Sequence, residues 1–472
     1  MENTVSIKKN FVYSIARQIG RFLFPMVAFP YASRILGSEG FGKFSFSLSL
    51  INIFILIASL GNSNYAIREG SRIKNDKDKI NRLVSEILMM SILSSFISLA
   101  FLCSFFVFFR QLKAYEALSF CLSLIIILNG IGADWVNYVY ENFKYLAYRN
   151  LIFQIVALIV MFAFVKNQSN ILIFCLVYVI SSAGGNICNI LYLKKHFLLR
   201  IVKPNDLLKH IKPIMILFAG SIATEIYINS DIMMVRYFTN DNIVGVYSAV
   251  SKLYSVIKQI LGSAMLVMMP RISFVINKKD SRSFRELSIA FFEILVIISI
   301  SISIGAYMLA EDIILLVSGA EYIGGASAFK ILALTICVAS LAGYFVNVIL
   351  IPNRKDTIVF RATLIASIVN ITINVVLIPR CGMVGAAITT FLAETIVAVL
   401  GFIKCRKLID IIIDCRTISL ICFANIGVIF ICYFCKCFNG CIYRVFMPTF
   451  ISVGWCLLVF RKKIRELAIY FD

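Results

Sequence analysis

Seven cations fall inside long apolar stretches of this sequence rather than between them: Arg17, Arg21, Arg34, Lys252, Lys258, Lys330 and Arg361. A charge held in hydrocarbon costs about 2.5–3.5 kcal/mol on insertion scales, so each needs a counter-charge or a water-filled cavity. Arg17 and Arg21 are four residues apart and therefore share one helical face, roughly 10–16 Å from the start of their helix at about 1.5 Å per residue. Such a pair suits a phosphate or pyrophosphate held by charge-assisted hydrogen bonds. Lys252 lies near the middle of its stretch, and Lys258, six residues on, points about 120° away, so a shared cavity takes one of the two. Arg34 sits at the end of its stretch, where a gate or helix-end role competes with ligand contact, and Arg361 is near enough to an end to snorkel. Asp134, Glu225, Asp231, Glu293 and Glu394 also lie in apolar stretches, so ion pairing is the alternative for these cations. Glu225 and Asp231 share one stretch and are the candidates for ion coupling.

The elements that must position these groups are membrane spans. Of 472 residues, 60% are hydrophobic and 40 are Phe, against 25 acidic side chains. At about 20 apolar residues per spanning helix, this supplies about 14 spans. The pattern places them at 10–36, 43–66, 83–109, 115–140, 146–165, 170–193, 213–238, 243–270, 285–310, 325–351, 357–379, 383–403, 417–435 and 442–460. With a cytoplasmic amino terminus, the inward loops collect about 31 cations and the outward loops about 8, which orients both termini to the cytoplasm. The inward set counts Arg149, at the start of the fifth span, and the basic 195–212 linker with His196 and His210. Lys8 and Lys9 before an apolar run look like a secretory signal. However, Arg17, Arg21, Pro25 and Pro30 interrupt that run and no small-residue cleavage site follows, so it is expected to remain as the first helix. Pro25 and Pro30 are also expected to bend it.

Much chemistry is disfavoured. The positive-inside pattern accounts for most of the net charge of +21, so nucleic-acid binding is not needed to explain it. Both histidines fall in the basic linker, which disfavours His-based metal or catalytic sites within the membrane, and no metal or other cofactor is expected. There is no P-loop, and the outward loops are short, the longest running from Glu311 to Gly324. A polymerase or glycosyltransferase needs larger external catalytic loops. Most of the 14 Cys lie singly within spans as small apolar side chains. Cys435, Cys437 and Cys441 cluster near a loop, but in no trusted ligand spacing. The expected class is a transporter. Asn347, and the stripe of Ser367, Asn370 and Asn374 on one helix, are candidate contacts for cargo hydroxyls or joints between helices.

A weak repeat supports two halves. Arg34 with Glu39, Gly42 and Phe44-Ser45 recurs as Arg236 with Asp241, Gly245 and Tyr247-Ser248. The expected layout is an N-lobe of six helices over 1–194, the basic linker 195–212, a C-lobe of six over 213–408, and two further helices with a tail over 409–472. Several motifs then carry a resemblance across nearly the whole chain. They are Pro30-Tyr31-Ala32-Ser33-Arg34-Ile35-Leu36-Gly37 with Glu39-Gly40-Phe41-Gly42; Leu60-Gly61; Tyr65-Ala66-Ile67-Arg68-Glu69; Asp134-Trp135 with Glu141, Phe143-Lys144-Tyr145 and Arg149-Asn150; Met269-Pro270-Arg271-Ile272-Ser273; and Leu377-Ile378-Pro379 with Gly382 and Gly385-Ala386-Ala387.

In this order they resemble the Wzx-type flippases, the polysaccharide-transporter family of the multidrug/oligosaccharidyl-lipid/polysaccharide (MOP) superfamily. The resemblance implies a V-shaped pair of six-helix bundles in the bacterial inner membrane. It implies a cargo of undecaprenyl-pyrophosphate-linked glycan, moved between leaflets by alternating access. Membrane lipid, and other membrane proteins of polysaccharide assembly, are the further partners it suggests. Arg17 and Arg21 match the family's first-helix cations, expected to face the pyrophosphate; Lys252 matches a later cation less closely. The wording of the motifs departs from the lipid II flippase branch, which favours O-antigen, capsule or exopolysaccharide units. A cation-coupled multidrug exporter of the same superfamily is the alternative, and it would call for an acidic cavity.

Overall fold

The computed structural model describes residues 7–200, 202–278, 280–406, 408–409, 414–438 and 440–463, with the backbone alone over 7–23, 204–205, 216–217, 219–221, 223–228, 277 and 281. Every regular element among them is helical. The first compact unit, Met1–Met233, contains α1 (Ile7–Ser59), α2 (Asn62–Ile73), α3 (Lys77–Phe108), α4 (Glu116–Gly132), α5 (Asp134–Val139), α6 (Phe143–Phe164), α7 (Ile171–Ala183), α8 (Asn186–His196) and most of α9 (Pro204–Phe238). The second, Met234–Asp472, contains α10 (Asp241–Asn277), α11 (Ser281–Met308), α12 (Ala310–Val317), α13 (Ala326–Gly343), α14 (Asp356–Cys381), α15 (Met383–Cys405), α16 (Cys415–Cys435) and α17 (Cys441–Val459).

Among the described residues, twelve helices are long and apolar enough to cross a membrane. That is a multi-pass membrane protein, though not a count of fourteen. The first of the twelve, Phe24–Ile73, takes in parts of two expected spans, and the expected span 213–238 lies on α9, many of whose side chains are outside the described residues. No loop separates the first two expected spans. Instead α1 continues through a kink at Gly37, with φ 69° and ψ 175°, a conformation for which glycine pays no Cβ penalty. Lys43, expected in an outward loop, stands on α1 and pairs with Glu39 at 2.6 Å. The expected span 115–140 breaks where Ala133 adopts φ 39°, ending α4 and starting α5. The span 170–193 breaks between α7 and α8. After α13 the chain widens into a π-helical segment, Tyr344–Leu350. Part of the expected outward loop at Glu311–Gly324 is the short helix α12.

With no hydrophobic drive between helices in lipid, close packing of small residues holds them together. Ala328, Ala333, Ala386, Ala387 and Ala393 are fully buried on α13 and α15. A Cβ on Gly385 would lie 2.6 Å from the Leu377 carbonyl oxygen, so α14 and α15 meet at backbone distance. In unit 1 a second cluster gathers Tyr65, Ile80, Val84, Ile87, Trp135, Val139 and Leu193. Side chains such as Phe101, Ile159, Phe430 and Phe450 are exposed, as surfaces bathed in hydrocarbon must be.

Candidate functional site

The best-formed polar site lies within unit 1 and begins at the break between α4 and α5. The turn at Ala133 sets Asp134 in the first turn of α5, where it meets Arg149 of α6 in a two-pronged pair. Arg149 donates Nη1 to Oδ1 at 2.8 Å and Nη2 to Oδ2 at 3.1 Å. Arg149 is only 6% exposed. Asn189 of α8 donates to the Gly132 carbonyl at 2.6 Å and also to Asp134. A Cβ on Gly185 would lie 2.7 Å from Arg149 Nε, so the joint between α7 and α8 must be bare for the guanidinium to pass. Asn186 then opens α8 and donates to Asn129 at 2.9 Å.

Two chambers flank this ion pair. The smaller, about 300 Å³, is lined by Phe24 and Pro25 of α1 together with Arg149, Gln154, Ser181 and Ser182. The larger, about 470 Å³, is lined by Ser59, Asn62, Ser91, Ser95, Trp135 and Tyr138. Asn129, Asp134 and Asn186 belong to both walls. Gln154 Oε1 and Asn62 Oδ1 are buried without a hydrogen-bond partner among the described residues.

The cations and acids expected to matter are distributed as follows. Helix α1 runs through positions 17 and 21, but the side chains of Arg17 and Arg21 lie outside the described residues, as does that of Glu225. Arg21 precedes Pro25, which lines the smaller chamber, by one helical turn. Arg34 is exposed on α1. Lys252 is exposed on α10, and no ion pair joins it to another described residue. Lys258 pairs with Glu394 of α15, which also accepts from Tyr254 Oη at 3.5 Å. Lys330 pairs with Glu311 at 2.9 Å, and Glu293 with Lys463 at 2.9 Å. The hydrogen bond and charge of Lys330 hold the Glu311 carboxyl below its usual range. Asp231 is buried on α9. Asn347 is half-buried in the π segment. Asn370 and Asn374 are 1% and 0% exposed; Asn374 donates to Asn370 at 3.1 Å and accepts from Thr389 of α15 at 2.5 Å. Cys435, Cys437 and Cys441 are free thiols.

Two residues read from the sequence as loop groups are corrected. Arg149, counted among inward loop cations, is buried on α6; its spacing from Asp134 across a short connection was the available signal. His210, placed in a solvated basic linker, is 4% exposed because α9 already begins at Pro204. Its Nε2 lies 2.8 Å from Glu86 and its Nδ1 lies 2.7 Å from Tyr65 Oη, while Lys209 and Arg82 donate to the same carboxylate at 2.7 and 2.9 Å. Three helices, α2, α3 and α9, are pinned there.

Comparison with known proteins adds a lineage to this geometry. Residues 7–275 match the model of a family described as "Polysaccharide biosynthesis protein". Two relatives are putative O-antigen transporters, from Shigella dysenteriae and Escherichia coli (strain K12). Each is 22% identical, over 405 and 418 residues, covering 85% and 86% of this chain and 100% and 99% of their own lengths. Among solved structures, the lipid II flippase MurJ in an inward closed conformation has TM-score 0.76 at 14% identity, over 96% of this chain and all of its own. An inward-facing MATE family multidrug resistance transporter of the MOP superfamily has TM-score 0.64 at 14% identity, over 83% of this chain and 97% of its own. At these identities the likeness to MurJ and the MATE transporter is one of fold.

Proposed function

Because the chain belongs to the polysaccharide biosynthesis protein family, we propose that it is a flippase for lipid-linked oligosaccharides. It carries polyprenyl-pyrophosphate-linked repeat units of O-antigen, capsule or exopolysaccharide from the inner to the outer leaflet of the bacterial cytoplasmic membrane by alternating access. The observation that carries this reading, beyond lineage, is the pair of polar chambers inside a helical unit that otherwise faces lipid. Buried polar space in a membrane is costly and marks a path or a binding site. The named relatives are transporters and flippases.

In the proposed mechanism Arg17, Arg21 and Lys252 attract the pyrophosphate while the polyprenyl tail stays in lipid. Lys252 suits this role because no described residue neutralises it. Lys258 is held by Glu394 and acts by positioning α10 on α15; Arg34 is a secondary candidate near the Gly37 kink. Asn347 offers a polar contact to passing sugar, whereas Asn374 already spends hydrogen bonds on Asn370 and on Thr389 of α15. Asp231 and Glu225 are the proposed ion-coupling groups. Cytoplasmic termini and six-helix lobes over 1–194 and 213–408 complete the proposal. A multidrug exporter would call for a free carboxylate, and the one lining the chambers is bound to Arg149.

The test replaces Arg17 and Arg21 singly with Ala and with Lys in cells that depend on this chain for surface glycan. Display is scored together with membrane protein level. Lost display at normal level, partly restored by Lys, is the expected result. Undiminished display in both Ala variants would remove the arginines from the site.

A further inference from the structure

We propose that the larger chamber of unit 1 is a subsite for an uncharged sugar ring. The proposal deepens the flippase reading, which it uses only for where the sugar comes from. Charge decides the ligand class first. Among the described residues the two chambers carry one cation, Arg149, and one anion, Asp134, and these two are spent on each other at 2.8 and 3.1 Å. A uronate entering the larger chamber would have to break that pair to be neutralised by a described residue, and so would an organic cation. Breaking a buried pair leaves an uncompensated charge, so both classes are disfavoured.

Hydrogen-bonding capacity decides next. The chamber wall is hydroxyl and amide. Ser59 and Ser95 donate their protons to carbonyls of their own helices, at 3.0 Å to Leu56 and 2.7 Å to Ser91, and so turn only acceptor lone pairs to a ligand. Asn62 Nδ2 gives one of its two protons to Ser91 at 3.2 Å. Asn186 Nδ2 gives one of its two protons to Asn129 Oδ1 at 2.9 Å, which leaves the Asn186 carbonyl as an acceptor and the Asn129 amide nitrogen as a donor. The offer mixes several acceptors with amide N–H donors, without net charge among the described residues. Sugar hydroxyls, each able to donate and accept, match it. Tyr138 on the same wall supplies apolar aromatic surface that the C–H face of a sugar ring packs against, beside the buried Trp135. At about 470 Å³ the chamber falls in the range of small-molecule sites.

The chain has two tryptophans, Trp135 and Trp455, and Trp455 belongs to α17 in the other unit. Full-length protein carrying Trp455→Phe therefore reports on the chamber by the emission of Trp135 alone. Glucose, galactose, mannose and N-acetylglucosamine are titrated against glucuronate, by emission and by calorimetry. The expected result is saturable binding of at least one neutral sugar in the millimolar range. Glucuronate should bind at least about ten-fold more weakly, and Asn129→Ala should weaken sugar binding about ten-fold by deleting a donor amide. Asn186→Ala is the companion variant, and Asn129→Ala suffices alone if the companion does not fold. No response to any neutral sugar by either method, or equal response to glucuronate, overturns the proposal. Surface-glycan display by the wild-type chain is scored separately. Its failure would remove the flippase reading and leave the sugar titration standing on its own.

Discussion

The amides of the two units have the same chemistry and opposite surroundings. Asn129 is exposed to the unit 1 chambers, and its neighbour Asn186 lines them. Asn370 and Asn374 are buried at 1% and 0% exposure and locked to one another and to Thr389. One pair borders space; the other fills it. A polar residue in a membrane helix is thus not a site by type. It becomes one when the packing around it leaves room, here because Ala133 breaks a span and bare glycines at 132 and 185 let Asn186 and Arg149 turn inward.

The hardest way to break the comparison is to remove the charge that keeps the unit 1 chambers neutral. Asp134→Ala leaves Arg149 buried and unpaired, an expected loss of about 3–5 kcal/mol, read as a large fall in thermal unfolding temperature or membrane level. Combining it with Arg149→Gln should recover much of that loss. If the single variant is as stable as the parent, the pair is not the frame of the site. Next, Asn374→Leu strands buried partners on both α14 and α15, for about 1–3 kcal/mol, while sugar binding in unit 1 stays unchanged. Asn129→Ala should show the reverse, with near-parental stability and sugar binding weakened about ten-fold. Identical profiles for these two variants would erase the distinction between lining and joint. Gly185→Ala pushes a methyl against Arg149 at 2.7 Å and should cost about 1–3 kcal/mol, with a visible effect on the chambers by Trp135 emission.

The smallest effect belongs to Glu311→Gln. Its partner Lys330 depresses the carboxyl's pKa in the folded state, so the stabilisation is present above the unfolded carboxylate range and is lost as pH falls through the lowered folded value. Because the Glu311 side chain is 62% exposed, solvent screening limits the effect to about 0.2–1 kcal/mol. Thermal unfolding from neutral to acid pH should show the variant and parent converging.

The sequence made the class of protein legible because hydropathy over a span is a sum, insensitive to where any one helix bends. It also located Asp134, Lys258 and Glu394 as charges in apolar surroundings. It missed Arg149 and His210, since a cation next to a short connection reads the same whether it snorkels outward or folds back to a carboxylate. It also missed the chambers, which depend on which side chains fail to touch. Asn370 and Asn129 differ in that respect alone, and no periodicity records it. The Ala133 turn was equally hidden, because alanine carries no turn signal.

The corner at Gly37 has a practical reach of its own. With no connecting loop between the first two expected spans, α1 has no slack there to absorb an insertion. Epitope tags, reporter fusions and protease sites engineered between residues 34 and 43 should abolish accumulation of the protein, whereas the irregular stretch at 197–200 should accept them. Topology mapping of this chain therefore has to treat residues 7–50 as one continuous helix with a fixed bend at Gly37.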